Sequence, residues 1–310
     1  MKRIQYHQYG GPDVMELEDF QPAAPAKDEV AVKVKFSAIN PIDWKMRNGV
    51  MKIVTGKAFP RAMGMDFSGT VISVGSEVTR FKPGDAVFGL ARFKETGALA
   101  QAVLAKETAL AKKPEGVSFE DAACLGTPGA TAWTGLIDKG RLRAGQHVFV
   151  NGCAGAVGEA TVQVARLHGA MVSGSCSARD MDRAKQLGVQ TVFDYRTTEV
   201  SKIGERFDVV YDTAATMTTA QGLGMLRKGG VFLDLNPSPG KFIGAMFNRR
   251  LKPVICTPTA QMLDSLAQAA RDENFRLPIG EIVPLSEAIA LITALEAGRK
   301  VGGKSLVAMD

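Results

Sequence analysis

Between His147 and Cys176 the chain reads HVFVNGCAGAVGEATVQVARLHGAMVSGSC: an apolar stretch, glycines at 152, 155 and 158, a helical pattern, then a second apolar stretch. Glycines spaced in this way between a strand and a helix let bare backbone approach a diphosphate. The helix that follows presents unpaired amides and the positive end of its dipole. The turn through Gly152, Ala154, Gly155, Ala156, Val157 and Gly158 therefore reads as a pyrophosphate cradle, with the helix starting near Val157. A tight turn and close helix packing would need the same glycines; the strand-turn-helix context is what favours the ligand.

The far end of the second stretch selects between two dinucleotides. A site for an unphosphorylated ribose puts Asp or Glu about 20 residues beyond the first glycine. Here the region reads SGSCSARD, with Ser177 and Arg179 ahead of Asp180. Hydroxyl and guanidinium donors suit the oxygens of a 2′-phosphate, which an acid at the strand end would repel. NADPH is the expected cofactor. In the competing reading, Ser177 and Asp180 are caps of the next helix.

Other chemistries find little support. Cys124, Cys153, Cys176 and Cys256 stand far apart, and His7, His147 and His168 have no histidine or cysteine at ligand spacing, so neither a disulfide framework nor a metal site is expected. The net charge of +6 is spread along the chain, and the short cluster FNRRLKP around Arg249 and Arg250 reads as a solvated loop. That balance mildly favours anionic ligands, and nucleic acid is not the expected partner. No apolar run reaches membrane-spanning length and the start, MKRIQYHQYGG, lacks the apolar core of a signal peptide, so a cytoplasmic protein is expected.

The elements that must position these residues follow from periodicity. In the 310-residue chain, residues 1–122 are dominated by period-two alternation, as in EVAVKVKFSAIN, where Val30, Val32, Val34 and Phe36 alternate with Lys33 and Lys35. Turns at Gly75 and Pro83-Gly84-Asp85 break the strands of an antiparallel barrel or sandwich. Residues 123–274 alternate buried strands with helices, which predicts a doubly wound parallel sheet. Its strands are expected at 147–150, 171–174, 191–193, 208–212, 231–235 and 254–256, and its helices include 159–167, 182–187 and 260–270. Residues 275–310 supply EIVPL, a helix from a Ser286 cap to Ala297, and a strand SLVAM, a tail too short to stand alone that should return to the first domain.

Several separate motifs give the whole chain a resemblance to the zinc-independent medium-chain dehydrogenase/reductases, in the quinone oxidoreductase and enone reductase group that includes zeta-crystallin. They are NPIDWKMRNG, GMDFSGTVISVG, FKPGDAVFG, TPGATAW, VNGCAGAVG, SCSARD, DYR, VVYDTA and GGKSLV, in that order. The resemblance implies a GroES-like barrel built from both ends of the chain around an inserted Rossmann domain, and a homodimer. Zinc-dependent relatives carry Cys and Gly-His-Glu where this chain has Asn40 and Gly64-Met65-Asp66, and the lobe with four closely spaced cysteines is missing.

By the same resemblance, Ser177, Arg179 and Tyr195 surround the 2′-phosphate, with Lys304 reaching that side. Thr127, Ala214, Leu235 and Asn236 border the nicotinamide. Hydride transfer to a quinone or an α,β-unsaturated carbonyl leaves charge on oxygen, and without a metal a donor must stabilise it. Lys45 in NPIDWK is the candidate, with Asn40 and Asp43 orienting the ribose, the loop or Lys45. Trp44 and Phe59 read as pocket wall or core. The resemblance also leaves open an NADPH-binding protein of structural, sensory or RNA-binding type with little turnover.

Overall fold

The computed structural model describes residues 1–95, 97–236 and 238–309. The chain forms two compact units, one of residues 1–127 with 258–310 and one of residues 128–257.

The first unit opens with β1 (Lys2–Tyr6), β2 (Glu16–Asp19) and β3 (Glu29–Ala38), followed by helices α1 (Pro41–Arg47) and α2 (Lys52–Thr55). Strands β4 (Arg61–Ala62), β5 (Asp66–Val74), β6 (Ala86–Leu90), β7 (Ala102–Lys106) and β8 (Leu110–Lys112) follow, then α3 (Phe119–Ala123) and α4 (Gly126–Trp133), whose first residues close this part of the unit. Alternation in β3 does what the sequence predicts: Val30, Val32 and Val34 are buried, and Lys33 and Lys35 are exposed. The Pro83-Gly84-Asp85 turn joins β5 to β6, with Gly84 at φ +90° and its amide on Val71 O. Only glycine takes that backbone conformation at little cost.

The second unit carries β9 (His147–Asn151), α5 (Ala156–Leu167), β10 (Met171–Cys176), α6 (Met181–Gln186), β11 (Thr191–Asp194), β12 (Phe207–Asp212), α7 (Thr219–Gly224), β13 (Leu226–Asp234), α8 (Pro239–Phe247) and β14 (Leu251–Pro253). These six strands pair in parallel in the order β11-β10-β9-β12-β13-β14, so all their carboxyl ends share one edge. The order reverses at β9, and crevices for ligands form outside the strand ends at such a switch. The strand expected at 254–256 lies three residues earlier. Register explains the shift: Asp234, the last residue of β13, already pairs with Pro253, so residues 254–256 have no partner strand left.

The chain then returns through α9 (Ala260–Arg271), β15 (Ile279–Pro284), α10 (Ala288–Glu296) and β16 (Lys304–Ala308). Residues 258–274, assigned from the sequence to the second domain, belong to the first unit, where α9 buries Met262, Leu263 and Leu266 and packs against β8. Strand β16 pairs antiparallel with β3, completing a seven-stranded sheet of order β15-β16-β3-β5-β6-β8, with β7 also on β3. Ser286 does not cap a helix: it sits inside a 3-10 turn, Leu285–Glu287, and α10 starts at Ala288 with Glu287 at its N-cap. Among the described residues, no helix is long and apolar enough to cross a membrane.

Candidate functional site

In the second unit, the expected cofactor residues line one edge of the parallel sheet. The glycine turn follows β9, Ser177 follows β10, Tyr195 follows β11, Ala214 follows β12, and Leu235 and Asn236 follow β13. Each glycine in the turn has its own reason. Gly152 sits at φ +84° with room for no side chain beside Ala214 Cβ, and a Cβ on Gly158 would fall 2.0 Å from Gly152 O. Gly155 differs: a Cβ there meets only Gly152 O at 3.5 Å, so the space before the N-terminus of α5 is open. Ala156 begins that helix and Gly155 is its N-cap, with no side-chain cap on the first amides. An open concavity of free amides at a twelve-residue helix fits a diphosphate.

Beneath the turn, a buried network fixes the ends of β9, β10 and β12. Asn151 Nδ2 donates to Asp212 Oδ1 (2.7 Å) and Thr216 Oγ1 (2.9 Å), and Ser175 Oγ donates to Asn151 Oδ1 (2.7 Å). Beside it, Arg183 donates to Ala154 O within the turn (2.9 Å) and lies 3.2 Å from Glu159 Oε1 and 3.4 Å from Asp180 Oδ1. Burial pushes the Glu159 carboxyl up to about 7 against the pull of Arg183. Neither Arg183 nor Glu159 is among the site residues expected from the sequence, where Glu159 enters only as the start of a helix. The available signal was Arg183 standing three residues after Asp180, on the same helical face.

Ser177 and Asp180 do stand at helix N-caps, yet neither side chain makes a capping bond. Instead Ser177 Oγ donates to Asp180 Oδ2 at 2.5 Å. Arg179 is exposed, 4.0 Å from the same carboxylate, and the half-exposed Tyr195 ring has Arg196 5.9 Å from its centroid. Ser177, Arg179 and Tyr195 thus stand at neighbouring strand ends, joined by the Tyr195 amide on Cys176 O.

The first unit holds a second group of the expected residues in a buried cluster. Asp66 Oδ1 accepts from Thr127 N (2.7 Å) and Thr127 Oγ1 (2.6 Å), and Asp66 Oδ2 accepts from Asn40 Nδ2 (2.9 Å). Lys304 Nζ donates to Asn40 Oδ1 (2.6 Å) and Ile39 O (2.8 Å). Expected at the adenosine phosphate, Lys304 instead has its ammonium enclosed in this cluster; the chain is paired there as β16, which turns the side chain inward. Asn40 N donates to Asp43 Oδ2 (2.8 Å) and closes the first turn of α1 behind Pro41. Burial pushes Asp43 up to about 7, with the Asn40 amide opposing, and Asp43 Oδ1 has no hydrogen-bond partner among the described residues. Asp66, quoted in the sequence only as part of a motif, is the hub of the cluster.

Lys45 behaves differently from Lys304. It lies on the exposed side of α1 and its ammonium has no hydrogen-bond or ion-pair partner among the described residues, so Asn40 and Asp43 do not hold it directly. They and Arg47 hold its helix. Arg47 is wholly buried, donates to Gly10 O (3.2 Å) and pairs with Glu296 of α10 at 2.5 Å. Trp44 and Phe59 pack against the core, Phe59 edge-on to Tyr6 and Tyr9. The only trio of potential metal ligands among the described residues is His7, just after β1, with Glu16 and Glu18 of β2; His7 and Glu16 are exposed and Glu18 is half-buried.

Known proteins resemble the chain along its whole length. Residues 26–115 match the alcohol dehydrogenase GroES-like domain and residues 187–306 match the zinc-binding dehydrogenase family. A quinone oxidoreductase of Pseudomonas aeruginosa is 31% identical over 99% of both chains. The 2-methylene-furan-3-one reductase of Solanum lycopersicum is 31% identical over 97% of this chain and 78% of its own. The solved quinone oxidoreductase of Coxiella burnetii superposes with a TM-score of 0.89 at 30% identity, covering 100% of this chain and 99% of that one.

The buried acid gives a pH signature. Asp43 binds its proton more tightly folded than unfolded, so its contribution to stability is greatest below the ordinary carboxylate range and falls as pH rises towards 7. Asp43→Asn keeps an acceptor for the Asn40 amide and removes the titration. Thermal melts between pH 4 and pH 7 should fall less steeply in that variant, by at most about 1.4 kcal/mol per pH unit. An unchanged slope contradicts the assignment.

Proposed function

The chain belongs to the quinone oxidoreductase group of the medium-chain dehydrogenase/reductases, a family of oxidoreductases, and from that premise we propose that it reduces a quinone or an α,β-unsaturated carbonyl with NADPH and without zinc. The observation that carries this reading is the open glycine turn at the switch point of the parallel sheet, with hydroxyl and guanidinium groups at the next strand end.

NADPH bound there supplies the hydride; the chain's own residues bind, orient and neutralise. The amides of residues 156–158 hold the pyrophosphate, while the Gly155 amide closes the turn on Gly152 O (3.0 Å). Arg179, exposed and only loosely drawn to Asp180, turns its fork to the 2′-phosphate, with Ser177 and the Tyr195 ring at its sides. Ala214, Leu235 and Asn236 follow the strands on the other side of the switch point and border the nicotinamide; the Asn236 amide is already fixed on Asp234 Oδ1 (2.8 Å).

Lys45 is the donor to the substrate oxygen. Its exposed ammonium has no hydrogen-bond or ion-pair partner among the described residues, so a carbonyl gains a full charge-assisted hydrogen bond there as negative charge develops. Lys304 is excluded from that role by its enclosure on Asn40 and Ile39. Asn40, Asp43 and Thr127 act as positioning residues for α1 and the segment that follows, and Lys304 acts with them. Solvent supplies the final proton.

Two measurements test the reading. In fluorescence titrations, Gly155→Ala should melt like the parent, since its methyl meets no protein atom closer than 3.5 Å, yet bind NADPH about tenfold or more weakly. In the same titrations Arg179→Ala should weaken NADPH roughly tenfold more than NADH. Equal losses for both dinucleotides remove the 2′-phosphate assignment. In steady-state assays with a simple enone, Lys45→Ala should lower kcat roughly 10²-fold while the NADPH affinity holds; unchanged turnover removes lysine from the chemistry.

A further inference from the structure

The second unit has another concavity, and its lining is strongly cationic. A cavity of about 540 Å³ is bordered by Lys139, Arg141, Arg249 and Lys252, with Asp138 as its one acid. It lies beside the entry to β14 rather than beyond the strand ends: Arg249 precedes Leu251, and Val231, also in the lining, pairs with Val209 inside the sheet. The glycine turn, Ser177 and Tyr195 all follow carboxyl ends of strands, so this basic group belongs to a different part of the unit.

Among the described residues, none of the four cations forms an ion pair or a side-chain hydrogen bond, although Asp138 stands beside Lys139 and the neighbouring Arg250 is engaged, donating to Gly230 O (3.2 Å) and Arg227 O (3.1 Å). That engagement pins the turn before β14 and leaves Arg249 exposed. Across the cavity, Arg141 is held at φ +51°, a conformation non-glycine residues seldom adopt. The turn that holds it has closed its own carbonyls: the Gly140, Arg141 and Leu142 amides donate to Gly135, Ile137 and Leu136 oxygens. Like charges gathered around a concavity repel one another, and an anion bound among them offsets that repulsion.

We propose that this cavity binds a soluble small molecule bearing an oligophosphate, at a site separate from the dinucleotide. Four cations against one carboxylate match a ligand with three or more negative charges. Two arginine forks give bidentate contacts to phosphate oxygens, and two ammonium groups add point charges. The cavity exceeds what a single phosphate fills. No aromatic ring lines it, so nothing there stacks on bases, which sets it apart from a nucleic-acid groove.

Isothermal titration with sodium tripolyphosphate tests this. The parent protein should bind it saturably at low ionic strength, and the affinity should fall as salt is added. Arg249→Gln with Lys252→Gln should weaken that binding by about tenfold for each cation removed. Arg179→Gln, at the dinucleotide edge, should retain it. Thermal melts matching the parent establish that the variants fold. Absence of saturable binding overturns the proposal, as does an undiminished affinity in the double variant. Loss confined to Arg179→Gln also overturns it, because the anion then occupies the dinucleotide cradle.

Discussion

The Asp66 carboxyl is wholly buried inside the first unit, where desolvation pushes its pKa up, and the structure around it supplies the groups that oppose that shift. Two donors come from Thr127 and one from Asn40, and Lys304 balances the cluster through Asn40 Oδ1. A buried carboxylate without such partners is strongly destabilising, and breaking one buried pair typically costs about 3–5 kcal/mol. One acid therefore binds together the start of β5, the entry to α1, the start of α4 and the last strand, β16. Even the neighbouring glycine obeys it: a Cβ on Gly126 would fall 2.6 Å from Asp66 Oδ1. The cation beside Asn40 is the Lys304 ammonium.

This arrangement separates two lysines that composition cannot distinguish. Lys304 is enclosed and committed, while Lys45 stands on the outer side of a helix whose inner side is anchored by Asn40, Asp43 and Arg47. Rigid anchoring of the helix with a free ammonium at its surface is what electrostatic stabilisation of a developing oxyanion requires. The second unit follows the same logic at its strand ends, where Asn151, Asp212 and Ser175 hold the backbone and leave the glycine turn bare.

Local signals were legible and distant ones were not. The glycine turn, the alternation of β3 and the parallel strands around β9 could be read because each is written within a few consecutive residues. The Lys304 contact to Asn40 spans 264 positions, and no periodicity in either segment announces it. Arg183 reaches back 29 residues to Ala154 for the same reason. The misplaced last strand and the misassigned α9 are errors of partnership: residues 254–256 are apolar enough for a strand, but β13 ends before them. Apolar α9 residues would suit either unit, and only the packing on β8 decides between them.

The account stands on hydride leaving the dinucleotide for a conjugated carbonyl with no metal taking part. The most direct measurement is a turnover of chelator-treated protein with NADPH carrying deuterium at both hydrogens of the nicotinamide C4, followed by mass analysis of the reduced enone. The account predicts one deuterium at the β-carbon and a rate unaffected by chelation. A deuterium-free product, or activity lost on chelation and restored by zinc, would contradict it.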